Sequence, residues 1–280
     1  MASSVAFSQR ARRSRAFMIG MSLLAILVLM AMSAGVVYPG DPLDIVGPPS
    51  VWPGTDAQFP LGTDMLGRDI AAIIFHGSRV SLTIGFFAAT IAILVGVFIG
   101  AVAGYCGGMI DDAMMRVTEF FQTIPSFLFA IVLVIIMRPS VQSMIVAIGL
   151  TAWPQIARLM RAEVMRVRGA DYVLAAITMG RGHLATIVDH ILPNSIAPVV
   201  VATSVLVANA ILMEASLSFL GLGDPNVASW GAMIGAGREV LRTAWYMSAV
   251  PGVAVFLTVM GFALIGNGLN DVLNPREVVR

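Results

Sequence analysis

The sequence predicts an all-α polytopic membrane protein with six transmembrane helices. Of its 280 residues, 58% are hydrophobic and only 12% are charged, whereas a soluble domain carries about 25% charged residues. The apolar residues come in blocks that are long enough to cross a bilayer. The basic residues, all of them arginine, lie mostly between these blocks. The net charge of +1 is local rather than spread over one face, so it gives no indication of nucleic-acid binding.

Six apolar segments account for the predicted spans. The first covers residues 17–38, and because its uncharged core is longer than the roughly 7–15 residues of a cleaved signal peptide, we expect an uncleaved helix. The other five lie in a core from 79 to 270, near 80–103, 119–137, 141–157, 196–220 and 247–266. Only "RPS" at 138–140 separates the third span from the fourth, so these two are expected to form a tight hairpin.

Arginine placement predicts the orientation of the spans. Arginine-rich segments tend to stay in the cytoplasm, which places the tails 1–16 and 271–280 and the segment 171–193 inside. The arginines predicted to be cytoplasmic are Arg10, Arg12, Arg13, Arg15, Arg116, Arg158, Arg161, Arg166, Arg168, Arg181, Arg276 and Arg280. The segments 39–78 and 221–245 then face outside. The first is rich in proline and therefore irregular, and the second continues from a turn into a short helix.

The stretch "DYVLAAITMGRGHLATIVDHILPN" at 171–194 is neither apolar enough to span nor polar enough for an ordinary loop. Asp171 is expected to cap a first short helix, and Gly180 permits a turn. Apolar residues then recur at helical spacing up to Pro193, which ends this second helix or begins the next span. The residues alone leave two interpretations open: the segment packs on the protein's own helix ends, or it docks a partner.

Three motifs resemble one family. Ala175-Ala176, Gly180 and Leu192-Pro193 resemble the signature E-A-A-x3-G-x9-I-x-L-P of ABC importer permeases, in which this segment is the coupling helix. Two positions depart from it, because Leu174 replaces the glutamate and His190 the isoleucine. "FPLGTDMLGRDI" (59–70) with "GSRVSL" (77–82), and "EASLSFLGLG" (214–223) with "SWGAMI" (229–234), are similar to permeases of dipeptide, oligopeptide and nickel importers.

The resemblance implies a type I ABC importer transmembrane domain in a bacterial inner membrane. It implies a heterodimer with a homologous permease, two ABC ATPase subunits on the coupling segment and an external solute-binding protein. ATP and Mg²⁺ would bind the ATPases, and no cofactor is expected in this chain, which has no lysine for a Walker A loop. Di- or oligopeptides are the expected substrate, with a nickel chelate, glutathione or a sugar as alternatives. The residues implied in ATPase coupling are Asp171, Tyr172, Leu174, Ala175, Ala176, Gly180, His183 and Leu184.

A separate hypothesis concerns the leucine at 174. A glutamate there would complete a capping box with Asp171. Leucine forfeits that bond and adds apolar surface, so we expect Leu174 to be buried in a groove of the ATPase.

Two polar residues in the fifth span are candidates for the translocation path or a gate. Glu214 is ionisable, and such residues inside a span indicate function by default. The predicted direction of the span puts Glu214 near the external end, where water or an arginine would satisfy it. A structural or gating role and direct substrate contact both remain open for Glu214 and for Asn209.

Gly96, Gly100 and Gly104 place one face of small residues on the second span, which allows a close helix contact. Packing within this subunit is favoured over a dimer seam. Glu119 and Glu163 are expected to pair with nearby arginines.

No catalytic group and no metal site are predicted. His183 and His190 lack a third ligand nearby, and the chain has neither a G-x-S-x-G elbow nor an HExxH motif. The rival from another class is an ion-driven secondary transporter, but such proteins show midplane ionisable residues and repeats, and here the midplane is almost bare.

Overall fold

The computed structural model describes residues 14–273, and in this range the fold is helical apart from one isolated β-bridge between Thr63 and Asp69. The arginines Arg10, Arg12, Arg13, Arg276 and Arg280, and most of both predicted tails, lie outside the described residues. The α-helices are α1 (Arg15–Val37), α2 (Ile70–Cys106), α3 (Gly108–Thr123), α4 (Ser126–Met137), α5 (Val141–Arg168), α6 (Asp171–Thr178), α7 (His183–Thr186), α8 (Leu192–Phe219), α9 (Trp230–Gly237) and α10 (Tyr246–Leu273).

Five helical stretches within the described range are long and apolar enough to cross a membrane: α1, α2, α5, α10 and the continuous run of α7 and α8. A sixth span is obtained when the bent pair of α3 and α4 is counted as one. The predicted helical membrane protein is therefore observed, with five to six candidate spans.

The third span is not the single helix that the sequence predicts over 119–137. It breaks at Ile124 and Pro125, and α3 and α4 meet there at an angle of 84°. Pro125 lacks a backbone N–H and disfavours the helical conformation in the residue before it. Ile124 is accordingly extended, with φ −86° and ψ 125°. The polar residues Gln122, Thr123 and Ser126 flank the bend, so the apolar pattern is interrupted where the helix breaks.

Two helices extend well beyond the predicted spans. Helix α2 begins at Ile70 rather than near 80, because the Asp69 side chain accepts a hydrogen bond from the Ala71 N–H at 2.8 Å and so caps the helix. Helix α5 continues to Arg168 rather than to 157, with Arg166 and Arg168 in its last turn. The α5 extension is rich in charged residues and so does not resemble a membrane span. The α2 extension begins with the apolar residues 70–74, which pack in the core.

Helices α2 and α5 form the centre of the fold. The small-residue face of α2 lies directly on α5. A Cβ on Gly96 would meet Ile156 at 2.6 Å, and one on Gly100 or Gly104 would meet the carbonyl oxygens of Ala157 and Arg161 at 2.3 and 2.7 Å. The glycine face thus packs within this subunit, as small residues at four-residue spacing do in membranes.

The two ends of the helix bundle differ in character. At the loop end, which comprises residues 38–69 and 220–245, the Tyr246 hydroxyl donates to the carbonyl oxygens of Val51 and Thr63 at 2.9 and 3.1 Å. The irregular segment is thereby tied to the start of α10, and the predicted short helix near it is α9. The opposite end, which we call the arginine end, comprises residues 107–123 and 158–191.

Candidate functional site

The segment 171–191 forms a hook at the arginine end. Helix α6 is followed by a turn at Gly180, whose φ of +82° favours glycine. Helix α7 and one π-helical turn (Ile187–Ile191) then continue without a stop into α8. The predicted second helix is therefore the first part of the span itself, and Pro193 follows the π-helical turn directly, inside this continuous run.

Asp171 does not cap α6, contrary to the prediction. The N-cap is Ala170, and no side chain bonds to the free N–H groups there. Asp171 is the first helical residue, where its charge still favours the helix N-terminus. Leu174 consequently stands one place later than the glutamate of a capping box. A glutamate at this position would not form the reciprocal bond, so leucine there loses no such bond.

One side of the hook belongs to the protein's own core. Val173 and Ala176 are buried, and Val173 packs with Val167 and Ile191 at the arginine end of α5 and α8. Ala176, which the family signature places among the ATPase-coupling residues, thus lies on the inward face. The interpretation as internal packing is correct for this face.

The other side of the hook is exposed and apolar. Leu174 is 50% exposed, Met179 81% and Leu184 79%, and Tyr172 and Val188 are exposed as well. The remaining coupling candidates Asp171, Ala175, Gly180 and His183 are also exposed. Several large exposed apolar side chains on one short segment are typical of an interaction surface.

Polar contacts hold the hook in place. The Tyr105 hydroxyl at the end of α2 lies 2.5 Å from Nδ1 of His183, and the Arg168 guanidinium lies over the Tyr105 ring. Arg181 forms an ion pair with Asp189 across the turn. The Tyr105–His183 contact thus joins the hook to α2, the Arg168–Tyr105 contact joins α5 to α2, and the Arg181–Asp189 pair lies within the hook.

Of the two carboxylates predicted to pair with arginines at this end, Glu163 does and Glu119 does not. Arg166 bonds Glu163 at 2.6 Å. Arg161 binds both carboxylate oxygens of Asp111, at 2.5 and 2.6 Å, and so joins α5 to α3. Glu119 forms no ion pair with any described residue, contrary to the prediction. It faces Arg158 and Arg116 across an open charged cavity of about 550 Å³.

Glu214 is fully buried and bound by three serines rather than by an arginine. Its Oε2 accepts from Ser81 Oγ, and its Oε1 accepts from Ser218 Oγ and Ser229 Oγ, each at 2.9 Å. Ser81 belongs to α2, and Ser229 is the N-cap of α9. The carboxyl group therefore joins α2, α8 and α9 near the loop end.

Close backbone packing surrounds this node. The Trp230 indole donates to the Ile74 carbonyl at 3.0 Å. A Cβ on Gly231 would lie only 2.2 Å from the carbonyl oxygen of Ala215. Glu214 itself has no exposed surface.

Asn209 lies on a different face of α8. Its side chain is exposed and lines a cavity between α4, α5 and α8. Gln155 of α5 lines the same cavity and is not among the residues predicted from the sequence. The available signal is the pair Thr151 and Gln155, which are one helical turn apart in an apolar span.

No group of three or more His, Cys, Asp or Glu residues that could hold a metal occurs within residues 14–273.

Comparison with known proteins assigns the family. Residues 96–279 match the family described as "Binding-protein-dependent transport system inner membrane component". The chain belongs to this family. Its members are membrane components of transport systems and not catalytic subunits.

Curated relatives match this chain over almost its whole length. A "Di/tripeptide transport system permease protein DppC" of Pseudomonas aeruginosa is 35% identical over 92% of this chain and 87% of its own. A "Dipeptide transport system permease protein DppC" of Bacillus subtilis is 36% identical over 96% and 84%. The "Oligopeptide transport system permease protein OppC" of Bacillus subtilis is 34% identical over 95% and 88%.

Solved structures share the fold of this inner membrane component. The inward-facing MetNI methionine ABC transporter matches with a TM-score of 0.59 at 15% identity, over 71% of this chain and 96% of its own. An amino acid ABC transporter matches with a TM-score of 0.55 at 17% identity, over 70% and 91%. At these identities the likeness concerns the fold, which is that of an ABC importer transmembrane domain.

Proposed function

We propose that the chain is one transmembrane subunit of an ATP-driven importer of di- and oligopeptides. The relatives of P. aeruginosa and B. subtilis, similar over nearly their whole length, are named as dipeptide or oligopeptide permeases. A homologous permease completes the path, and two ATPase subunits that bind ATP and Mg²⁺ supply the energy. An external binding protein delivers the peptide to the loop end.

The exposed apolar side of the hook carries this proposal. Leu174, Met179 and Leu184 form a surface that a free-standing loop would not keep in water. A groove on an ATPase subunit is the partner that the family provides, and Leu174 enters it. Because the opposite side of the hook packs on α5 and α8, a displacement of the hook is passed to both helices.

The proposed mechanism is a shift between two states of the transporter. Closure of the ATPase dimer around ATP moves the two hooks together and favours the outward-open state. Hydrolysis and product release favour the inward-open state. Each ligand shifts the equilibrium only by its difference in affinity between the two states.

The proposal includes an orientation. The arginine end faces the cytoplasm, in accordance with the positive-inside rule, and the loop end faces outside. This places both termini in the cytoplasm and the hook on the side where ATP is available.

A cysteine crosslink to a co-expressed ATPase subunit tests the coupling role. In a Cys106→Ser background, Ala175→Cys on the exposed side of α6 is expected to form a crosslink whose yield changes with ATP. Ala176→Cys is the matched control, since it is the next residue but is buried in the subunit's own core. Equal crosslinking of both would indicate an unfolded hook.

The absence of any crosslink from Ala175→Cys, Leu174→Cys and Leu184→Cys, in correctly inserted protein, would contradict the coupling role. The substrate is tested separately with the complete transporter in liposomes. Uptake of a labelled dipeptide that requires ATP and the binding protein supports import. Uptake that instead follows an ion gradient would favour the secondary transporter.

A further inference from the structure

A groove runs along α8 between α4 and α5. It consists of two adjoining cavities of about 280 and 330 Å³, which share Phe127, Leu212 and Ser216. From α8 the groove is lined by Asn209 and, toward the loop end, by Phe219. These positions recur every three or four residues, so they form one continuous face of the helix.

Two amide side chains in this groove have no partner. Gln155 and Asn209 are both exposed, and neither makes a side-chain hydrogen bond to any of residues 14–273. An amide group offers two N–H donors and a carbonyl acceptor. Both residues therefore present free donors and acceptors to whatever fills the groove.

The depth of these amides makes contact with lipid unfavourable. The backbone N–H of Val141, the first residue of α5, contacts the carboxylate of Asp224, which follows α8, at 3.3 Å, so these two helix ends are neighbours. At a rise of about 1.5 Å per residue, Asn209 lies about 15 Å from that end of α8 and Gln155 about 21 Å from that end of α5. Both are thus near the middle of a hydrocarbon layer of about 30 Å, where an unsatisfied polar group costs several kcal/mol.

We propose that this groove is a wall of the translocation path, and that Gln155 and Asn209 bind the backbone of the passing peptide. The inference rests on the proposed import of peptides and deepens it. A peptide bond carries one N–H donor and one C=O acceptor, which a side-chain amide matches with its own acceptor and donor. The two amides then hold the peptide while the rest of the path is apolar.

The composition of the groove explains how it would accept different peptides. No charged residue lines either cavity. The half nearer the loop end is lined by Phe127, Leu212, Phe219 and Leu220, which offer apolar surface of no fixed shape. The groove thus binds the backbone, which all peptides share, and does not distinguish the charges of their side chains.

Glu214 belongs to the same helix but not to this path. It lines neither cavity, and its carboxyl oxygens are occupied by three serines. The proposal therefore gives the two residues different roles: Asn209 contacts substrate and Glu214 supports the fold.

Cysteine labelling in the complete transporter tests whether water reaches the groove. Gln155→Cys and Asn209→Cys, each in a Cys106→Ser background, are exposed to a small charged thiol reagent in proteoliposomes. Leu94→Cys is the matched control: it is exposed and apolar, and it lies on α2 level with the stretch of α5 between Gly149 and Ile156. We expect both groove cysteines to react at least about tenfold faster than Leu94→Cys, and saturating dipeptide to slow their reaction.

Uptake measurements test recognition of the backbone. Gln155→Leu and Asn209→Leu should each reduce dipeptide uptake by about 5- to 30-fold, the range expected for the loss of one or two kcal/mol. The reduction should be the same for dipeptides with neutral, acidic and basic side chains. Thr203→Val is the control, because Thr203 belongs to the same helix but lines neither cavity and its hydroxyl is already bonded to the Val199 carbonyl. Its uptake should be unchanged.

The outcomes separate the two proposals. Groove cysteines that react no faster than Leu94→Cys, in a transporter that still imports dipeptide, would overturn the groove and leave the function intact. A change in uptake that depends on the charge of the peptide would overturn backbone recognition. A correctly assembled transporter that imports no dipeptide would overturn the proposed function, and the peptide assignment of the groove with it.

Discussion

The Oε2 atom of Glu214 lies 2.9 Å from the Oγ of Ser81, across the contact between α8 and α2. Two further serines, Ser218 and Ser229, saturate the other carboxyl oxygen. A polar group in the interior of a membrane protein is tolerated when its hydrogen bonds are satisfied within the protein. The arrangement fixes the end of α8 to α2 and α9, so the loop end behaves as one body.

Glu214→Ala is therefore expected to destabilise the protein without acting on substrate. The change leaves three buried hydroxyls without an acceptor, each at a cost of about 1–3 kcal/mol where no other acceptor is found. The apparent melting temperature of Glu214→Ala in detergent should fall clearly. That of Glu214→Gln should fall less, because glutamine keeps an acceptor oxygen. If Glu214→Ala melts like the unchanged protein but fails to transport, the residue acts in the path instead.

The contact between α2 and α5 makes a second prediction. Gly100→Ala would place a methyl group 2.3 Å from the carbonyl oxygen of Ala157, so the helices must separate, at about 1–3 kcal/mol. Gly252→Ala in α10 is the matched control, since no atom lies within 4 Å of its added Cβ. We expect a lower melting temperature for the first variant and an unchanged or slightly higher one for the second. Equal melting temperatures would contradict the close contact.

The bond between Tyr105 and His183 makes a third prediction. Tyr105→Phe removes a hydroxyl that lies 2.5 Å from the His183 ring, while it keeps the ring beneath Arg168. Loss of one hydrogen bond of about 1 kcal/mol should speed amide hydrogen exchange in residues 171–191 by about fivefold. Tyr172→Phe on the exposed face of α6 is the control and should leave exchange unchanged. An unaltered rate in Tyr105→Phe would show that the hook is held by apolar packing alone.

The sequence predicts the helices of this fold well because bilayer-spanning segments need long apolar runs. The bend at Pro125 is not predicted, although Pro125 and the polar residues Gln122, Thr123 and Ser126 beside it mark the break. It also ends α5 too early, because the helix protrudes as an amphipathic stretch that resembles a loop in composition.

The candidate site is predictable only in part. The motif around Ala175 and Gly180 identifies the hook as a segment, but burial of Ala176 on one side and exposure of Leu174 on the other depend on the orientation of α6. The partners of Glu214 come from three separate elements, of which only Ser218, one turn away, could be inferred from spacing. Gln155 becomes a candidate only when α4 and α8 are seen to enclose it with Asn209.

The turn between α6 and α7 makes the last prediction. Gly180 has a φ of +82°, whereas Gly182 does not have a positive φ, and neither has an atom within 4 Å of an added Cβ. Gly180→Ala therefore introduces only backbone strain, of about 1–2 kcal/mol. Gly182→Ala introduces no such strain. If the hook couples ATP to transport, Gly180→Ala should weaken the ATP dependence of uptake several-fold while the melting temperature changes little, because the strain is confined to an exposed turn. Gly182→Ala should transport normally. Equal uptake by both variants would mean that the shape of this turn does not matter for coupling, and the contact with the ATPase would then have to be sought elsewhere at the arginine end.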